Sequence, residues 1–183
     1  MGVIFVAGTY GVGKSTLCNA LSRELHIPAY SAGDLISSVN GESYGANKVV
    51  TDKDHNQQIL SQQISHLLIT NSKILLAGHF CIFGTENCIE ILPSDVFHDL
   101  YIEKILLLEA DVTTIQSHLK SRDQKNYLEH DLLSLKEAER NMAYSVATDI
   151  GCPIYVHNMM FNDSDIQKCF AVIKGEEHYE SIT

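Results

Sequence analysis

Gly8-Thr9-Tyr10-Gly11-Val12-Gly13-Lys14-Ser15 is the stretch that decides the fold of this 183-residue chain. It matches the phosphate-binding loop G-x-x-x-x-G-K-[ST] at every fixed position. A short apolar run over 3–7, rich in β-branched and aromatic residues, precedes the loop and predicts a buried strand. Apolar residues at helical spacing follow it as far as Leu25. Strand, glycine-rich turn and helix form the context in which this loop binds a nucleoside triphosphate.

The residue types of the loop explain the chemistry that it predicts. Its glycines let the backbone bring N–H groups against phosphate oxygens, and the start of the following helix adds further donors. Lys14 is expected to reach the β- and γ-phosphates, and the Ser15 hydroxyl to hold Mg²⁺. ATP and Mg²⁺ are therefore the predicted cofactors. The predicted nucleotide-binding residues are Gly11, Val12, Gly13, Lys14, Ser15 and Thr16.

Apolar strands alternate with helices along the rest of the chain. Strands are predicted at 3–7, 28–31, 73–77, 105–108 and 153–156, and helices at 34–39, 52–70, 93–100, 111–119, 132–150 and 163–173. This order predicts an α/β three-layer sandwich with a mostly parallel five-stranded sheet, as in P-loop NTPases. Ligands of such sheets bind at the carboxyl ends of the strands, so the loops after four of these strands are expected to form one site.

The overall composition excludes several classes of function. A net charge of −10 argues against non-specific nucleic-acid binding, which needs a basic stripe. The chain has no apolar run of membrane-spanning length and no basic leader before its first strand, so neither a membrane anchor nor a signal peptide is expected. Five scattered cysteines suit a reduced, cytoplasmic protein better than a disulfide framework. Nothing in the sequence decides the oligomeric state.

Beyond the loop, several stretches resemble the nucleoside monophosphate kinases, and most closely the archaeal-type adenylate kinases. Ser31-Ala32-Gly33-Asp34-Leu35 is similar to the start of their acceptor side, and Leu119-Lys120-Ser121-Arg122-Asp123 to the start of their lid. Glu139-Arg140-Asn141-Met142-Ala143 and the segment 151–158 resemble the helix and strand that close the domain. The resemblance implies one adenylate kinase-like domain over 1–174. Its acceptor-side segment covers about 32–70 and its lid about 119–131, and an acidic tail follows over 175–183.

The resemblance also implies roles for single residues. Arg122 and Arg140 are expected to stabilise the transferred phosphoryl group, Asp34 and His79 to orient the acceptor, and Asn158 to lie near the donor base. Each also has a structural interpretation that the sequence leaves open: a helix N-cap for Asp34, a half-buried histidine for His79 and a turn-forming amide for Asn158.

The two arginines have structural alternatives as well. Arg122 could pair with Asp123 beside it, and Arg140 with Glu137 or Glu139 on its own helix.

The chain departs from the family pattern at three places. Ile36 follows Gly-Asp-Leu where the family usually has an arginine for the acceptor phosphate, and Ala77 stands where an acid usually ends the strand. The lid carries Arg122 with neighbouring lysines instead of several arginines. Lys48 and Lys53 are the expected substitutes for the missing arginine, although lysine lacks the bidentate fork of arginine.

The leading hypothesis from the sequence is ATP-dependent phosphoryl transfer to a nucleoside monophosphate or a related small phosphate acceptor. Two alternatives stay open. One is a kinase of a non-nucleotide metabolite, and the other is an ATP-binding switch or slow ATPase that acts through a partner. In the first two hypotheses the binding partners are a nucleotide and a small-molecule acceptor, without nucleic acid or membrane.

Overall fold

A computed structural model describes residues 2–40, 53–84, 88–124 and 126–176. Lys48, the side chain of Lys53 and the tail after Glu176 therefore lie outside the described residues. Within the described ranges, none of the helices combines the length and the apolar character needed to cross a membrane.

The strands of the main sheet are separated by helices along the chain, as the sequence predicts. The strands are β1 (Gly2–Ala7), β2 (Ala29–Ser31), β3 (Lys73–Ala77), β4 (Cys81–Phe83), β5 (Ile89–Ile91), β6 (Ile102–Glu109) and β7 (Ile154–Asn158). The helices are α1 (Lys14–Leu25), α2 (Ala32–Asn40), α3 (Lys53–Thr70), α4 (Asp95–His98), α5 (Val112–Asp123), α6 (Glu129–Ile150) and α7 (Asp163–Lys174).

Five of the strands form one parallel sheet in the order β2-β3-β1-β6-β7, which confirms the predicted fold class. The register sets Val6 opposite Ala77 and Ala7 opposite Leu107, so the carboxyl ends of the central strands meet at one edge. The phosphate loop follows β1 at this edge.

Helices cover both faces of the sheet. Side chains of successive strand residues point to opposite faces, so both faces carry apolar residues that the helices bury. In β1, Val3 and Phe5 pack into a cluster shared with α3, α4 and α6, whereas Ile4 and Val6 pack into a second cluster shared with α1, α5 and α7. Every residue of β1 is buried, which explains why its sequence is a continuous apolar run.

The structure differs from the predicted elements most clearly in three places, and by one to two residues at the ends of several others. The antiparallel hairpin β4–β5 was not predicted, because each strand has only three residues. β6 begins at Ile102, before the predicted 105, because its polar residues find partners: Lys104 Nζ donates to Val172 O at 2.8 Å. In the lid segment, α5 extends to Asp123 and α6 starts at Glu129, so the link between these helices is short.

Candidate active site

The phosphate loop turns tightly between β1 and α1. Gly8 has a φ of 143°, and a Cβ on this residue would lie 2.5 Å from Leu108 O. α1 begins after Gly13, whose φ is 95°, and no described side chain caps the helix. The N–H groups of the first helical turn therefore remain available to an anion, as the phosphates of a nucleotide require.

Lys14 is buried and crosses the loop. Its Nζ donates to Gly8 O at 2.7 Å and to Thr9 O at 2.9 Å. Burial lowers the pKa of Lys14 to about 8, and the Glu139 carboxylate opposes this shift. The ammonium group is thus held against the backbone carbonyls of the phosphate loop.

Glu139 is a buried carboxylate that joins α6 to the loop. Its Oε1 accepts from Gly8 N at 3.1 Å, and its Oε2 accepts from Phe80 N at 2.9 Å and Cys81 N at 2.7 Å. Burial raises the pKa of the Glu139 carboxyl, whereas Lys14 and these three N–H groups oppose the rise. All three described hydrogen-bond partners are donors, which suits the ionised carboxylate.

Sequence reasoning missed this role of Glu139, although a signal was present. The buried side of α6 includes Leu135, Glu139 and Ala143, four residues apart. An acid at the centre of an apolar helical stripe indicates a buried partner, because an unpaired buried carboxylate is costly. The carboxylate also binds the turn after β3, so a negative charge reaches this region from α6.

A cavity of about 720 Å³ lies at the carboxyl edge of the sheet. The phosphate loop, the start of α1, α5 and the β7–α7 loop line one part, which we call the loop half. β2, α2, α3, the β4–β5 hairpin and α4 line the other part, which we call the α3 half. The α3 half is lined by Phe5, Ser31, Ala32, Gly33, Ile36, Asn56, Gln57, Leu60, Ala77, Gly78, His79, Ile82, Phe83, Leu92, Val96, Phe97 and Leu100.

Three aromatic rings join the two halves of the cavity. Tyr10 belongs to the phosphate loop, and its ring centroid lies 4.3 Å from that of His79 and 6.0 Å from that of Phe83. The Tyr10 and Phe83 rings are nearly parallel, at 18°. We call Tyr10, His79 and Phe83 the aromatic wall. Burial raises the pKa of Tyr10 well above its ordinary value, so its hydroxyl is neutral.

Only some of the predicted site residues line this cavity. Those on its wall are Gly11, Gly13, Lys14, Ser15, Thr16, His79 and Arg122. Val12 instead packs into the core beneath the loop. Asn158 is exposed at the end of β7 and is not among the lining residues. Its role at the donor base stays a prediction.

The two predicted catalytic arginines have different surroundings. The Arg122 guanidinium donates to both carboxylate oxygens of Asp123, at 2.5 and 2.7 Å, while its side chain lies at the cavity. Arg140 donates to Glu109 at 2.6 and 2.5 Å and does not line the cavity. Its partner is Glu109 and not Glu137 or Glu139, which the structural alternative named; Glu139 faces inward and binds backbone N–H groups. A catalytic role for either arginine stays a prediction.

Asp34 lies on an exposed surface of α2 and is not among the lining residues. α2 starts at Ala32, so Asp34 occupies the first turn and is not the N-cap that the alternative interpretation expected. Its backbone N lies 3.4 Å from Ser31 Oγ. An acceptor contact by Asp34 therefore also remains a prediction.

Sequence reasoning missed a second group of residues, at the loop half. His118 Nδ1 lies 3.0 Å from Gly11 O, and its ring meets Phe161 edge to face with centroids 4.7 Å apart. Asp165 holds the loop that carries Phe161, because it accepts from Met160 N at 3.0 Å and Asn162 N at 3.1 Å. No local motif predicts this arrangement, since α5 and the β7–α7 loop are brought together by the fold.

Direct metal ligands are scarce. No group of three or more His, Cys, Asp or Glu side chains in the described ranges can hold a metal ion. Ser15 is exposed at the cavity, where its hydroxyl suits a cation that is shared with nucleotide phosphates.

Solved structures with this architecture include several kinases. The chain is 14% identical to a shikimate kinase from Bacteroides thetaiotaomicron, with a TM-score of 0.62 over 96% of this chain and 97% of the other. A gluconokinase from Sinorhizobium meliloti gives a TM-score of 0.52 at 10% identity, over 97% of this chain and 98% of the other. The fold is thus that of the P-loop kinases.

In sequence, the chain is 25% identical over 108 residues to the adenylyl-sulfate kinase of Bacillus licheniformis. The match covers 55% of this chain, which spans only about half (53%) of the curated relative. The AAA domain family matches residues 7–136, and the chain belongs to this family. These comparisons support P-loop kinases as a group and do not single out the archaeal-type adenylate kinases.

Proposed function

We propose that this protein is an ATP-dependent kinase that transfers the γ-phosphoryl group to a hydroxyl of a small molecule. One observation carries the proposal: the phosphate loop and the α3 half line one continuous cavity. A nucleotide on the loop would thus present its terminal phosphate to a second molecule in the α3 half. Phosphoryl transfer depends mainly on such positioning and on neutralising charge.

The residues of the loop half would supply the charge neutralisation. Lys14 and the N–H groups at the start of α1 would bind the β- and γ-phosphates, and Ser15 would hold Mg²⁺. The metal ion, when bound, would neutralise the charge on these phosphates. Arg122 would reach the transferred group after exchanging its contact with Asp123 for one with phosphate, which its exposed position permits.

The similar proteins support a non-nucleotide acceptor at least as well as a nucleotide. They include shikimate kinases, one of them in complex with shikimate, and a gluconokinase. A nucleoside monophosphate remains the second candidate acceptor, favoured by the Ser31–Leu35 stretch because three of its residues, Ser31, Ala32 and Gly33, line the cavity. That acceptor would require Lys48 or Lys53 to bind its phosphate.

The test is a screen with ATP labelled in the γ-phosphate and a panel of metabolites and nucleoside monophosphates. Formation of one labelled product, lost in Lys14→Met, is the expected result. Transfer to a monophosphate would select the second candidate. Phosphate release that no panel member changes would contradict the kinase proposal and favour the ATPase or switch.

A further inference from the structure

Tyr127 lies on the short link between α5 and α6 and extends the aromatic wall. Its ring centroid is 6.1 Å from that of Phe83, and the two rings are nearly parallel, at 21°. Phe83 in turn stacks on Tyr10, so three rings run from the phosphate loop across the hairpin to the link. On α5, Gln116 Nε2 donates to Tyr127 O at 2.6 Å. The ring and the backbone of Tyr127 are therefore both held in place.

The hydroxyl of Tyr127 reaches the carboxylate that binds Arg122. It donates to Asp123 Oδ2 at 3.0 Å, and the same oxygen accepts from Arg122 Nη2. The Asp123 side chain is only 5% exposed, whereas that of Arg122 is 57% exposed. Burial and the hydrogen bond to Asp123 raise the pKa of Tyr127, so its hydroxyl keeps its proton and remains a donor at neutral pH. Asp123 is thus a nearly buried acceptor between an exposed cation and a hydroxyl that is held in place.

This arrangement matters because Arg122 has to leave Asp123 in order to bind phosphate. Its departure takes two charge-assisted hydrogen bonds from a carboxylate with little access to water, and such a loss is costly. The Tyr127 hydroxyl belongs to a different residue and stays on Oδ2 when Arg122 moves. Because it shares Oδ2 with Arg122 Nη2, it also offsets part of the negative charge that holds the guanidinium. Both effects lower the free energy needed for the exchange.

We infer that Tyr127 is a positioning residue that allows Arg122 to exchange Asp123 for the phosphate of a bound nucleotide. The inference rests on the proposed function. Tyr127 is not among the residues that line the cavity, so its effect has to pass through Asp123. The stacked rings tie the position of its hydroxyl to the phosphate loop, where the nucleotide binds.

The first test is a double-mutant cycle on Tyr127 and Arg122. Tyr127→Phe removes the hydroxyl and keeps the ring in the stack. Single-turnover transfer of labelled phosphate should become about tenfold slower, since one hydrogen bond to a charged group is lost. In the Arg122→Ala background the same substitution should leave the rate unchanged. Equal slowing in both backgrounds would show that Tyr127 does not act through Arg122, and it would overturn the inference.

Tyr101→Phe is the matched control for this cycle. Tyr101 is 56% exposed, and its carbonyl accepts from Val3 N at the amino end of β1, on the edge of the sheet opposite the cavity. This variant should transfer phosphate at the wild-type rate. Thermal melts show whether Tyr127→Phe is folded. Equal transfer rates for the wild type and both tyrosine variants would contradict the inference.

The second test follows the Nε–H group of Arg122 by heteronuclear NMR and needs no turnover. The chain has only three arginines, so each Nε signal can be assigned by substitution. Mg²⁺ with a non-hydrolysable ATP analogue should shift the Arg122 signal of the wild-type protein, whereas the signal of Arg140, which is bound to Glu109, should stay in place. In Tyr127→Phe the shift of the Arg122 signal at saturating analogue should be smaller, because a smaller fraction of the guanidinium leaves its carboxylate.

The NMR measurement separates the inference from the proposed function. If no acceptor takes phosphate, the kinase proposal fails, and the Arg122 signal still decides the inference. If transfer occurs but the analogue leaves the Arg122 signal unmoved, or shifts it equally in the wild type and Tyr127→Phe, the kinase proposal stands and the inference is overturned.

Discussion

The backbone N–H of Gly8 donates to Glu139 Oε1 at 3.1 Å, although the two residues are 131 positions apart in the chain. Through its other oxygen the same carboxylate binds the turn after β3. One side chain of α6 therefore fixes the position of the phosphate loop relative to the α3 half. In the proposed kinase, this contact would set the distance between donor and acceptor.

Glu139→Gln should destabilise the fold. The amide keeps the size of the side chain but turns one of its acceptors into a donor that faces backbone N–H groups. A buried donor left without a partner costs about 1–3 kcal/mol, which corresponds to a fall in Tm of roughly 2–12 °C for a domain of this size. Calorimetric melting measures the change, and exposed Glu137→Gln on the same helix is the control. Equal Tm values for the two variants would show that the buried contact contributes nothing.

The pH dependence of kcat/KM for ATP should reflect the protonation of Lys14. Its side chain is active when protonated, and its pKa is lowered to about 8, so kcat/KM for ATP should fall as the pH rises through about 8. The charged or titratable groups that act on Lys14 are Glu139, Cys18 and Arg122. Loss of the Glu139 charge removes an attraction that raises this pKa, so Glu139→Gln should move the alkaline decline to lower pH. An unshifted profile would contradict the electrostatic link.

Lys14→Met should abolish transfer while the protein still folds. Loss of one group that stabilises transition-state charge typically lowers kcat by about 10²–10³-fold. Because the Lys14 ammonium is expected to contact two phosphates, its loss should lower kcat by an amount at or beyond the upper end of this range. Single-turnover transfer of labelled phosphate measures the effect. Lys120→Met, at an exposed position of α5, is the control. Near-normal turnover in Lys14→Met would rule out the proposed mechanism.

Arg122→Ala should mainly lower kcat, whereas Arg140→Ala should mainly lower the stability of the fold. Arg122 lies at the cavity, so its loss should lower kcat at least tenfold with little change in Tm. Arg140 neutralises the buried Glu109, so its loss should destabilise the protein by about 1–3 kcal/mol with little change in kcat. Steady-state kinetics and melting curves separate the two results. A large fall in kcat for folded Arg140→Ala would instead support the catalytic role that the sequence predicted.

The sequence predicted the sheet well because each of its features is local. β1 is a continuous apolar run next to an unambiguous loop motif, and the alternation with helices specifies a parallel sheet. The hairpin β4–β5 was missed because its strands have three residues each, too few for a pattern to emerge. The phosphate loop was predicted for the same reason as β1, since its nucleotide-binding residues are consecutive in the chain.

The rest of the candidate site depends on contacts between distant segments. Glu139 reaches Gly8 only after α6 packs on the sheet, and Arg140 finds Glu109 across 31 positions. Helical spacing alone therefore suggested partners on the same helix for Arg140, whereas packing supplied a different one. His118 and Phe161 likewise meet only because α5 and the β7–α7 loop follow neighbouring strands of the sheet.

Tyr10 occupies a variable position of the nucleotide motif, and its ring also packs against Phe83 of the opposite half of the cavity. A substitution of Tyr10 that adapts the cavity to a new second ligand would therefore also alter the phosphate loop that binds ATP. A change at position 10 is subject to two selective pressures at once, whereas Phe83 on the hairpin is subject to one. Divergence of specificity among descendants of this protein should accordingly begin in the hairpin and reach the loop last.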